Sequence, residues 1–347
     1  MGVQLSGLVE AKKVAIENLA GRKIAFDGHN ILYQFLAIIR GRSGEPLRDR
    51  EGRVTSHLSG LIYRNSNLME AGIRVAYVFD GRPPGLKTGI VERRREERRE
   101  ARTKYRKALR EGRPEDARVY AQQTVTATPE IVDDAKMLLT LMGAPWVQAP
   151  AEGEAQSAHM AKKGDVYAAA SQDFDSLLFG APLLVRNLSI TGRRKLPRKN
   201  LYIKIEPEII ELRAFLRGLG ITWEQLIDVG LLVGTDYNPK GIKGVGPKTA
   251  LKLVREHGSV EATLPYIKDE EFPFPVEEIR ELFLRPEVTD DYRLEWRPPD
   301  TDGIVEFLCK EHDFDRSRVM KAVKKIETGY ERGRSRTTLE RWFKPQN

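Results

Sequence analysis

Acidic residues stand directly after short apolar segments at several places in this 347-residue chain. Asp27 and Asp80 each follow such a segment and precede a glycine, and a third segment leads into Asp173 and Asp175. Three further acids complete the candidate set: Glu152, Glu154 and Asp236. Seven carboxylates brought together would repel one another strongly unless cations neutralised them, and oxygen ligands favour Mg²⁺ or Mn²⁺ over zinc. The set therefore predicts a divalent metal pair.

A metal pair of this kind predicts phosphodiester hydrolysis. Two ions about 4 Å apart can hold a phosphodiester between them, lower the pKa of an attacking water and stabilise the leaving oxygen. Each acid alone has an ordinary explanation, because Asp before Gly is typical of a turn and Glu152 and Glu154 would complement a helix dipole. The pair Asp173 and Asp175 is less ordinary, since two acids beside an apolar strand are costly without a cation. The metal hypothesis depends on the combination.

The apolar segments predict an α/β fold with a mostly parallel central sheet flanked by helices. Strands are expected over residues 23–27, 74–81, 165–173 and 183–185, with a helix over 31–39 between the first two. In an open parallel sheet, ligands bind beyond the carboxyl ends of the strands, which is where most of these acids would lie. Further helices are expected over residues 129–142, 152–163, 226–233, 248–256 and 319–326, and a flexible linker over 327–336.

Two segments have the composition of a nucleic-acid surface. Residues 92–110 carry ten Lys or Arg against four Glu, which predicts a solvated helix or a mobile segment that attracts a phosphate backbone. Residues 241–250 form a glycine-rich turn that opens a helix at Pro247. Free amides at a helix start, with Lys243 and Lys248 nearby, suit a duplex phosphate, although such a turn is often only a tight turn.

Composition narrows the class of protein. The 58 Lys and Arg residues exceed the 50 Asp and Glu residues by 8, which favours a polyanionic partner. The one cysteine, Cys309, excludes an internal disulfide and a thiolate zinc cluster, and the five histidines lack zinc spacing. No apolar run reaches membrane length. We therefore expect a monomer that is cytoplasmic or nucleoid-associated, or nuclear if the source is eukaryotic.

The acids, in this order and in these contexts, resemble the flap endonuclease family of 5′ nucleases, most of all its archaeal members. The resemblance covers nearly the whole chain, and its motifs lie at residues 1–3, 26–28, 78–84, 151–156, 172–178 and 232–237. It implies removal of 5′ flaps from branched DNA in replication, including Okazaki fragment processing, and in repair. It also implies a divalent two-metal site made by Asp27, Asp80, Glu152, Glu154, Asp173, Asp175 and Asp236.

The resemblance implies further roles that spacing does not reveal. Lys87 and Arg94 match basic residues at the foot of a helical arch, where they would stabilise charge on the scissile phosphate. Tyr33 matches an aromatic that stacks on the base next to the cut, although its helical position alone indicates a core residue. Gly2 would lie near the metal site. The implied duplex clamp is a helix-two-turn-helix element with a bound monovalent cation, formed here by Lys243, Gly244, Gly246, Lys248 and Thr249.

The end of the chain resembles the sliding-clamp binding motif of replication proteins. Leu339, Trp342 and Phe343 would be the apolar anchor and the paired aromatics that fill the partner's pocket. The pattern departs from the motif at Arg336, which stands where glutamine is usual, and this weakens the expected polar contact.

The expected organisation is one nuclease domain over residues 1–326 and a flexible clamp-binding tail over 327–347. The domain divides into an N-terminal nuclease region (1–100), the arch (87–125), an internal nuclease region (126–235) and the helix-two-turn-helix with C-terminal helices (236–326). The alternatives are a 5′ exonuclease or a junction or bubble nuclease of the same superfamily. Outside that chemistry the alternatives are a clamp-recruited DNA-binding scaffold without catalysis and a small-molecule magnesium phosphohydrolase.

Overall fold

The computed structural model describes residues 2–41, 44–82, 88–113, 116, 119–120, 124, 126–190, 192–195, 202–267, 272 and 274–342. Within these ranges, side chains are described except at residues 88–95, 97, 109, 190, 192–195, 202–203 and 334–342. No helix in the described part of the chain is long and apolar enough to cross a membrane.

A seven-stranded sheet forms the centre of the described part of the molecule, and two further strands form a separate sheet. The strands are β1 (Lys12–Lys13), β2 (Lys23–Asp27), β3 (Arg74–Phe79), β4 (Trp146–Gln148), β5 (Ala168–Ala170), β6 (Leu183–Arg186), β7 (Gly192–Lys195), β8 (Tyr202–Ile205) and β9 (Glu208–Glu211). The order in the sheet is β1-β9-β6-β5-β2-β3-β4, and β7 pairs with β8. The strands β6, β5, β2, β3 and β4 are mutually parallel, whereas β9 runs antiparallel to both β6 and β1. The predicted mostly parallel sheet is confirmed.

Helices cover both faces of the sheet. They are α1 (Gly28–Ile38), α2 (Ser56–Glu70), α3 (Thr88–Arg110), α4 (Pro129–Leu141), α5 (Gly153–Lys163), α6 (Asp175–Leu178), α7 (Leu212–Leu219), α8 (Trp223–Val233), α9 (Pro247–His257), α10 (Val260–Thr263), α11 (Val276–Leu284), α12 (Thr301–Val305) and α13 (Arg316–Trp342). Short 3₁₀ turns occupy Ile16–Leu19, Leu188–Ile190 and Leu264–Tyr266, and a π-helical stretch occupies Glu306–Glu311.

Alternate residues of each central strand enter different cores. In β2, Ile24 and Phe26 pack into a core shared with α1, α2, α4 and α13, whereas Ala25 between them joins a small cluster under α5. In β5, Ala169 faces a third cluster that gathers α6, α8, α9 and α11. Because successive strand side chains point to opposite faces, this alternation fixes the register of the sheet. The same register determines which residues stand at the carboxyl edge.

The prediction of a flexible linker over residues 327–336 is wrong, because α13 runs unbroken from Arg316 to Trp342. The Gly, Arg and Ser composition suggested flexibility, but tertiary packing overrides it. The guanidinium of Arg74 donates to the carbonyl of Gly333 at 3.1 Å, and that of Arg332 donates to the carbonyl of Glu70 at 3.2 Å. These bonds fasten the helix across the end of α2, where the Glu70 carboxylate also pairs with Lys325.

Other elements differ from expectation in length or had no predicted counterpart, among them the strands β1, β4 and β7 to β9. The third strand is only Ala168–Ala170, shorter than the expected 165–173, and the helix α2 had no counterpart among the predicted elements. This helix carries buried polar residues at Ser56, His57 and Asn65, so its pattern lacks the clean apolar stripe that identifies an amphipathic helix. The basic segment forms the helix α3, so the helical alternative holds for Thr88–Arg110.

Gly329 provides a test of the α13 packing. A Cβ atom added there would overlap the carbonyl oxygen of Met69, whereas one added at Gly333 would meet only the Arg74 guanidinium, at 3.5 Å. We expect Gly329→Ala to lower the free energy of unfolding by about 1–3 kcal/mol through overpacking. Gly333→Ala is the matched control and should be neutral or stabilising by up to about 1 kcal/mol, because alanine favours helix. Chemical denaturation measures both, and an unchanged Gly329→Ala would contradict the described packing.

Candidate active site

The acidic residues lie at the carboxyl edge of the parallel strands. Asp27 is the last residue of β2, and Asp80 follows β3 directly. Glu152 is the N-cap of α5, four residues after β4 ends, and Asp173 follows β5 by three residues. Because β5, β2, β3 and β4 are parallel neighbours, their ends are adjacent, and residues far apart in sequence meet there.

All seven predicted acids belong to one electrostatically connected cluster. The charge on Asp27 responds to Asp80, Glu152 and Asp173, and that on Glu154 responds to Asp175, Asp27 and Asp173. The remaining member, Asp236, follows α8 and acts on Asp175. The structure therefore brings together every carboxylate of the sequence-derived set.

Burial and mutual repulsion hold protons on this cluster. Burial, with a further contribution from Asp80, raises the pKa of Asp27 well above its ordinary value. Burial also raises the pKa of Glu154, with Asp175 as the next cause. For Asp175, burial together with the charges of Asp236 and Asp173 raises the pKa to about 8. A site that must take up protons to relieve its own charge is equally suited to taking up cations.

Glycines let the backbone approach the carboxylates closely. A Cβ at Gly2 would stand 2.5 Å from Oδ2 of Asp175 and 2.6 Å from Cβ of Asp173, so no other residue fits there without displacement. At Gly153 a Cβ would stand 2.9 Å from Oδ1 of Asp80, and the Gly153 amide donates to that oxygen at 2.7 Å. The predicted position of Gly2 beside the acids agrees with this packing.

Neutral donors, which the sequence reasoning missed, orient several of the acids. The Asn30 amide N–H donates to Asp27 at 3.0 Å, and its side-chain Nδ2 donates to Asp173 at 2.7 Å, so Asn30 bridges two strands. The Val3 amide donates to Oδ1 of Asp175 at 2.7 Å. Two hydroxyl donors complete the group, Ser171 to Glu154 at 2.7 Å and Tyr237 to Glu152 at 2.7 Å. Their sequence contexts carry no chemical signature, although Ser171, Tyr237 and Asn30 all lie within three residues of a predicted acid.

The carboxylate oxygens of the seven acids suit divalent metal ions chemically, but they do not surround a single metal position. Carboxylate oxygens are the ligands that hard cations prefer. As the side chains stand, no group of three or more His, Cys, Asp or Glu in the described ranges is arranged to hold a metal ion.

Comparison with known proteins decides the family. The XPG N-terminal domain model matches residues 1–101, and the XPG I-region model matches residues 143–236. The flap endonuclease 1 of Thermococcus onnurineus is 53% identical over 343 residues, which covers 99% of each chain. The chain belongs to the flap endonuclease family. It is therefore a structure-specific nuclease that removes flaps, and both the non-catalytic scaffold and the small-molecule phosphohydrolase are set aside.

Solved structures agree with that assignment. Flap endonuclease-1 from Methanococcus jannaschii is 44% identical with a TM-score of 0.74, and the match covers 94% of this chain and 98% of that one. The catalytic core of Rad2, solved in complex with DNA substrate, is 25% identical with a TM-score of 0.66, covering 91% and 96%. The fold of this flap endonuclease is thus the predicted 5′ nuclease fold, and the family is one of divalent-metal nucleases that bind DNA.

The structure describes only some of the remaining predicted site residues of this flap endonuclease. Tyr33, on α1, is half-buried and absent from the core, so the expectation of a core residue is wrong. Arg94 lies in α3, but its side chain is outside the described part, and Lys87 is outside it altogether. Leu339 and Trp342 lie in the last turns of α13 with side chains outside the description, and Phe343 is beyond the described residues.

The glycine-rich turn joins α8 to α9 at the surface of this flap endonuclease. Its predicted contact residues are all exposed: Lys243, Gly244, Gly246, Lys248 and Thr249. Gly246 is the N-cap of α9 and Pro247 occupies the first helical turn, as predicted. Gly244 has φ of +80°, a left-handed conformation that glycine adopts without strain. The turn therefore presents backbone rather than side chains between its two lysines.

The raised pKa of Asp175 predicts a pH-dependent stability of the metal-free nuclease. Between pH 4 and 8 the unfolded chain loses the Asp175 proton while the folded chain keeps it, so stability falls as pH rises through this window. Asp175→Asn removes this loss and keeps the Val3 bond. In chelator, the free energy of unfolding of the variant relative to wild type should therefore grow with pH, each unit of pKa elevation being worth about 1.4 kcal/mol.

Denaturation series at pH 4, 6 and 8 measure the effect. Glu256→Gln, which removes an equal charge from an exposed position on α9, is the control and should run parallel to wild type. Divalent cation should shrink the advantage of Asp175→Asn. A difference that stays constant from pH 4 to 8 would contradict the assigned burial and repulsion.

Proposed function

We propose that this nuclease cuts the phosphodiester at a 5′ flap junction with two divalent cations, Mg²⁺ or Mn²⁺, held by the seven carboxylates. The observation that carries the proposal is their convergence: acids from five separate segments form one partly buried cluster, in which burial and then mutual repulsion raise the pKa of Asp27, Glu154 and Asp175. When bound, such ions supply Lewis-acid activation of water and stabilisation of the leaving oxygen. The ligands would be Asp27, Asp80, Glu152, Glu154, Asp173, Asp175 and Asp236, some through water.

The chain's own groups organise that cluster for the reaction. The helices α1 and α5 begin at Asp27 and Glu152, so their positive N-terminal ends point at the carboxylates and lower the cost of gathering them. Donors from Asn30, Ser171 and Tyr237 fix individual oxygens. Because these donors are neutral, they orient the acids without cancelling the charge that attracts cations.

Cationic residues around the cluster would bring the DNA backbone to it. The helix α3 carries most of the basic arch segment, and its Lys and Arg residues would attract a polyanion. We assign Lys87 and Arg94, at the start of this segment, to stabilising charge on the scissile phosphate.

Tyr33 lies one helical turn from the acidic cluster. Four residues before it on α1 is His29, whose Nδ1 lies 3.3 Å from Oδ2 of Asp80. Residues four apart on a helix share a face, so Tyr33 and His29 lie on the same side of α1. The ring of Tyr33 is only half-buried, and we assign it to stacking on the base beside the cut.

The glycine-rich turn would grip the duplex. The first amides of α9 have no intrahelical carbonyl to donate to, and the exposed Lys243 and Lys248 flank them. We propose that these amides, with Gly244, Gly246 and Thr249, bind backbone phosphate together with a monovalent cation. Such contacts read shape and charge rather than base sequence, which suits selection of a junction.

The C-terminal end of α13 would recruit a sliding clamp through Leu339, Trp342 and Phe343. An apolar anchor with two aromatics is the kind of group that fills a pocket on a partner. Arg336 in place of glutamine weakens the expected polar contact. We further propose that residues 1–326 belong to one nuclease domain, which α13 extends beyond residue 326. We also propose that the protein acts as a monomer in replication and repair, and that it works in the cytoplasm or nucleoid.

Cleavage of defined substrates tests the proposal. Labelled double-flap, single-flap, nicked and bubble DNA would be incubated with wild type and with Asp175→Asn in Mg²⁺. We expect wild type to prefer flaps, and the variant to bind them but to cut at least about 100-fold more slowly, because a ligand charge is lost from the site. Cutting by the variant at the wild-type rate would contradict the catalytic assignment.

The duplex assignment has its own test. In the Asp175→Asn background, which binds without cutting, Lys243→Ala and Lys248→Ala should each weaken duplex binding and lower the magnitude of the salt slope by about 1. Lys321→Ala removes an equal charge from an exposed position on α13 and is the control. Fluorescence anisotropy from about 50 to 200 mM salt measures the slopes. If all three variants share one slope, the turn does not bind phosphate.

A further inference from the structure

The backbone of Asp80 lies just beyond the sheet and is held by side chains. β3 ends at Phe79, and its last registered pair with β4 joins Phe79 to Gln148. The amide N–H of Asp80 donates to Nδ1 of His29 at 3.1 Å, and its carbonyl accepts from Nε2 of Gln148 at 2.6 Å. Both main-chain groups of this acid are thus satisfied by side chains instead of by the strand ladder.

The side-chain amide of Gln148 bonds to the peptide planes on both sides of Asp80, beside backbone bonds from the Ala149 amide to the Phe79 carbonyl at 2.8 Å and from the Gly81 amide to the Ala151 carbonyl at 2.6 Å. Besides the Asp80 carbonyl, Nε2 donates to the carbonyl of Phe79 at 3.2 Å. The Phe79 carbonyl belongs to the planar unit before the Asp80 Cα atom, and the Asp80 carbonyl belongs to the unit after it. Fixing both planes fixes the direction in which the Asp80 side chain leaves the backbone.

Lys136 determines which way the Gln148 amide points. Its Nζ donates to Oε1 of Gln148 at 2.8 Å. An ammonium group can only donate and a carbonyl can only accept, so Oε1 must face Lys136 and Nε2 must face the two carbonyls. Lys136 is itself held over the rings of Trp146 and Phe79, with Nζ at 4.8 and 5.3 Å from their centroids. The orientation of the amide therefore follows from packing at the edge of the sheet.

Asp80 needs this control more than its buried neighbours do. Its side chain is 45% exposed, whereas the residue Asp27 is only 8% exposed. Packing can hold Asp27 in place, but an exposed carboxylate depends on its backbone and on its few bonds, such as the one from Gly153.

We infer that Gln148 is a positioning residue for Asp80, with Lys136 setting its orientation, and that the pair governs how readily the site takes up its metal. The inference rests on the proposed function, in which Asp80 is a metal ligand. Gln148 touches neither the ions nor the DNA in this role; it acts through the placement of Asp80.

The test is a metal titration of Gln148→Met, which keeps the length of the side chain but removes its donor and acceptor. The half-saturating Mg²⁺ concentration should rise about threefold to tenfold, both for flap cleavage and for Mg²⁺ binding measured by calorimetry without DNA. Removing a group that orients a metal ligand usually changes metal affinity by this much or more. We expect an effect at or below the lower limit here, because Gln148 is exposed. At saturating Mg²⁺, kcat and the KM for flap DNA should stay within about twofold of wild type.

Gln225→Met is the matched control. Gln225 likewise accepts one bond, from the Thr222 amide at 3.0 Å, and donates one to the carbonyl of Gly258 at 3.2 Å. Gln225→Met should lower the melting temperature without changing the half-saturating Mg²⁺ concentration, which is the Mg²⁺ midpoint. Lys136→Met provides a second variant in which Gln148 remains but loses the group that orients it, so a smaller rise in the midpoint is expected.

The outcomes separate the inference from the proposed function. Asp80→Asn serves as the reference, and full activity in that variant would overturn the metal role of Asp80 itself. If Asp80→Asn is inactive but both Gln148→Met and Lys136→Met keep the wild-type Mg²⁺ midpoint, the positioning role is wrong. A raised KM for DNA with an unchanged midpoint would also overturn it, because Gln148 would then be acting on substrate.

Discussion

Repulsion among buried carboxylates is the interaction around which this nuclease is built. The parallel order of β5, β2, β3 and β4 places strand ends side by side, and each end leads into an acid. The cost of burying these acids and gathering them appears in the raised pKa values of Asp27, Glu154 and Asp175. Divalent cations would stabilise such a fold strongly, because each bound ion would relieve several repulsive pairs at once.

The surrounding structure holds the acids in place while leaving their charge available. The Asn30 amide at the start of α1, the backbone amides of Val3 and Gly153, and neutral side chains such as that of Asn30 provide directed bonds. Lysines and arginines are instead abundant in α3, where we propose that they attract DNA rather than neutralise the acids. Stability and activity are therefore expected to oppose each other at Asp175, where we predict that removal of the charge stabilises the metal-free fold and slows cleavage.

The two large cores support different elements of the molecule. One core joins the sheet to α1, α2, α4 and α13, and so supports the ends of β2 and β3. The other gathers α6, α8, α9 and α11, and so carries the glycine-rich turn that we assign to duplex binding. Asp236 follows α8 and contributes to the acidic cluster, so it links the two parts. The long helix α13 is fastened to α2 through Arg332 and Lys325, on the side of the first core.

The sequence alone determined the identity of the seven acids, the order of strands and helices that carry them, and the start of α9 at Pro247. These features are local. Apolar runs, glycine and proline at fixed places, and acids at strand ends can each be recognised within a few residues of sequence. The family resemblance supplied roles for Tyr33 and Gly2 that no local pattern contains.

Tertiary structure decided the rest, because its causes lie between residues far apart in the chain. Asn30 reaches Asp173 from a different strand end, and Gln148 reaches the backbone of Asp80, yet neither residue has a sequence context that marks it. The helical state of residues 327–336 depends on contacts with α2 that outweigh a composition typical of linkers. Burial likewise sets the pKa of Asp175, and burial is a property of the assembled fold rather than of the residue.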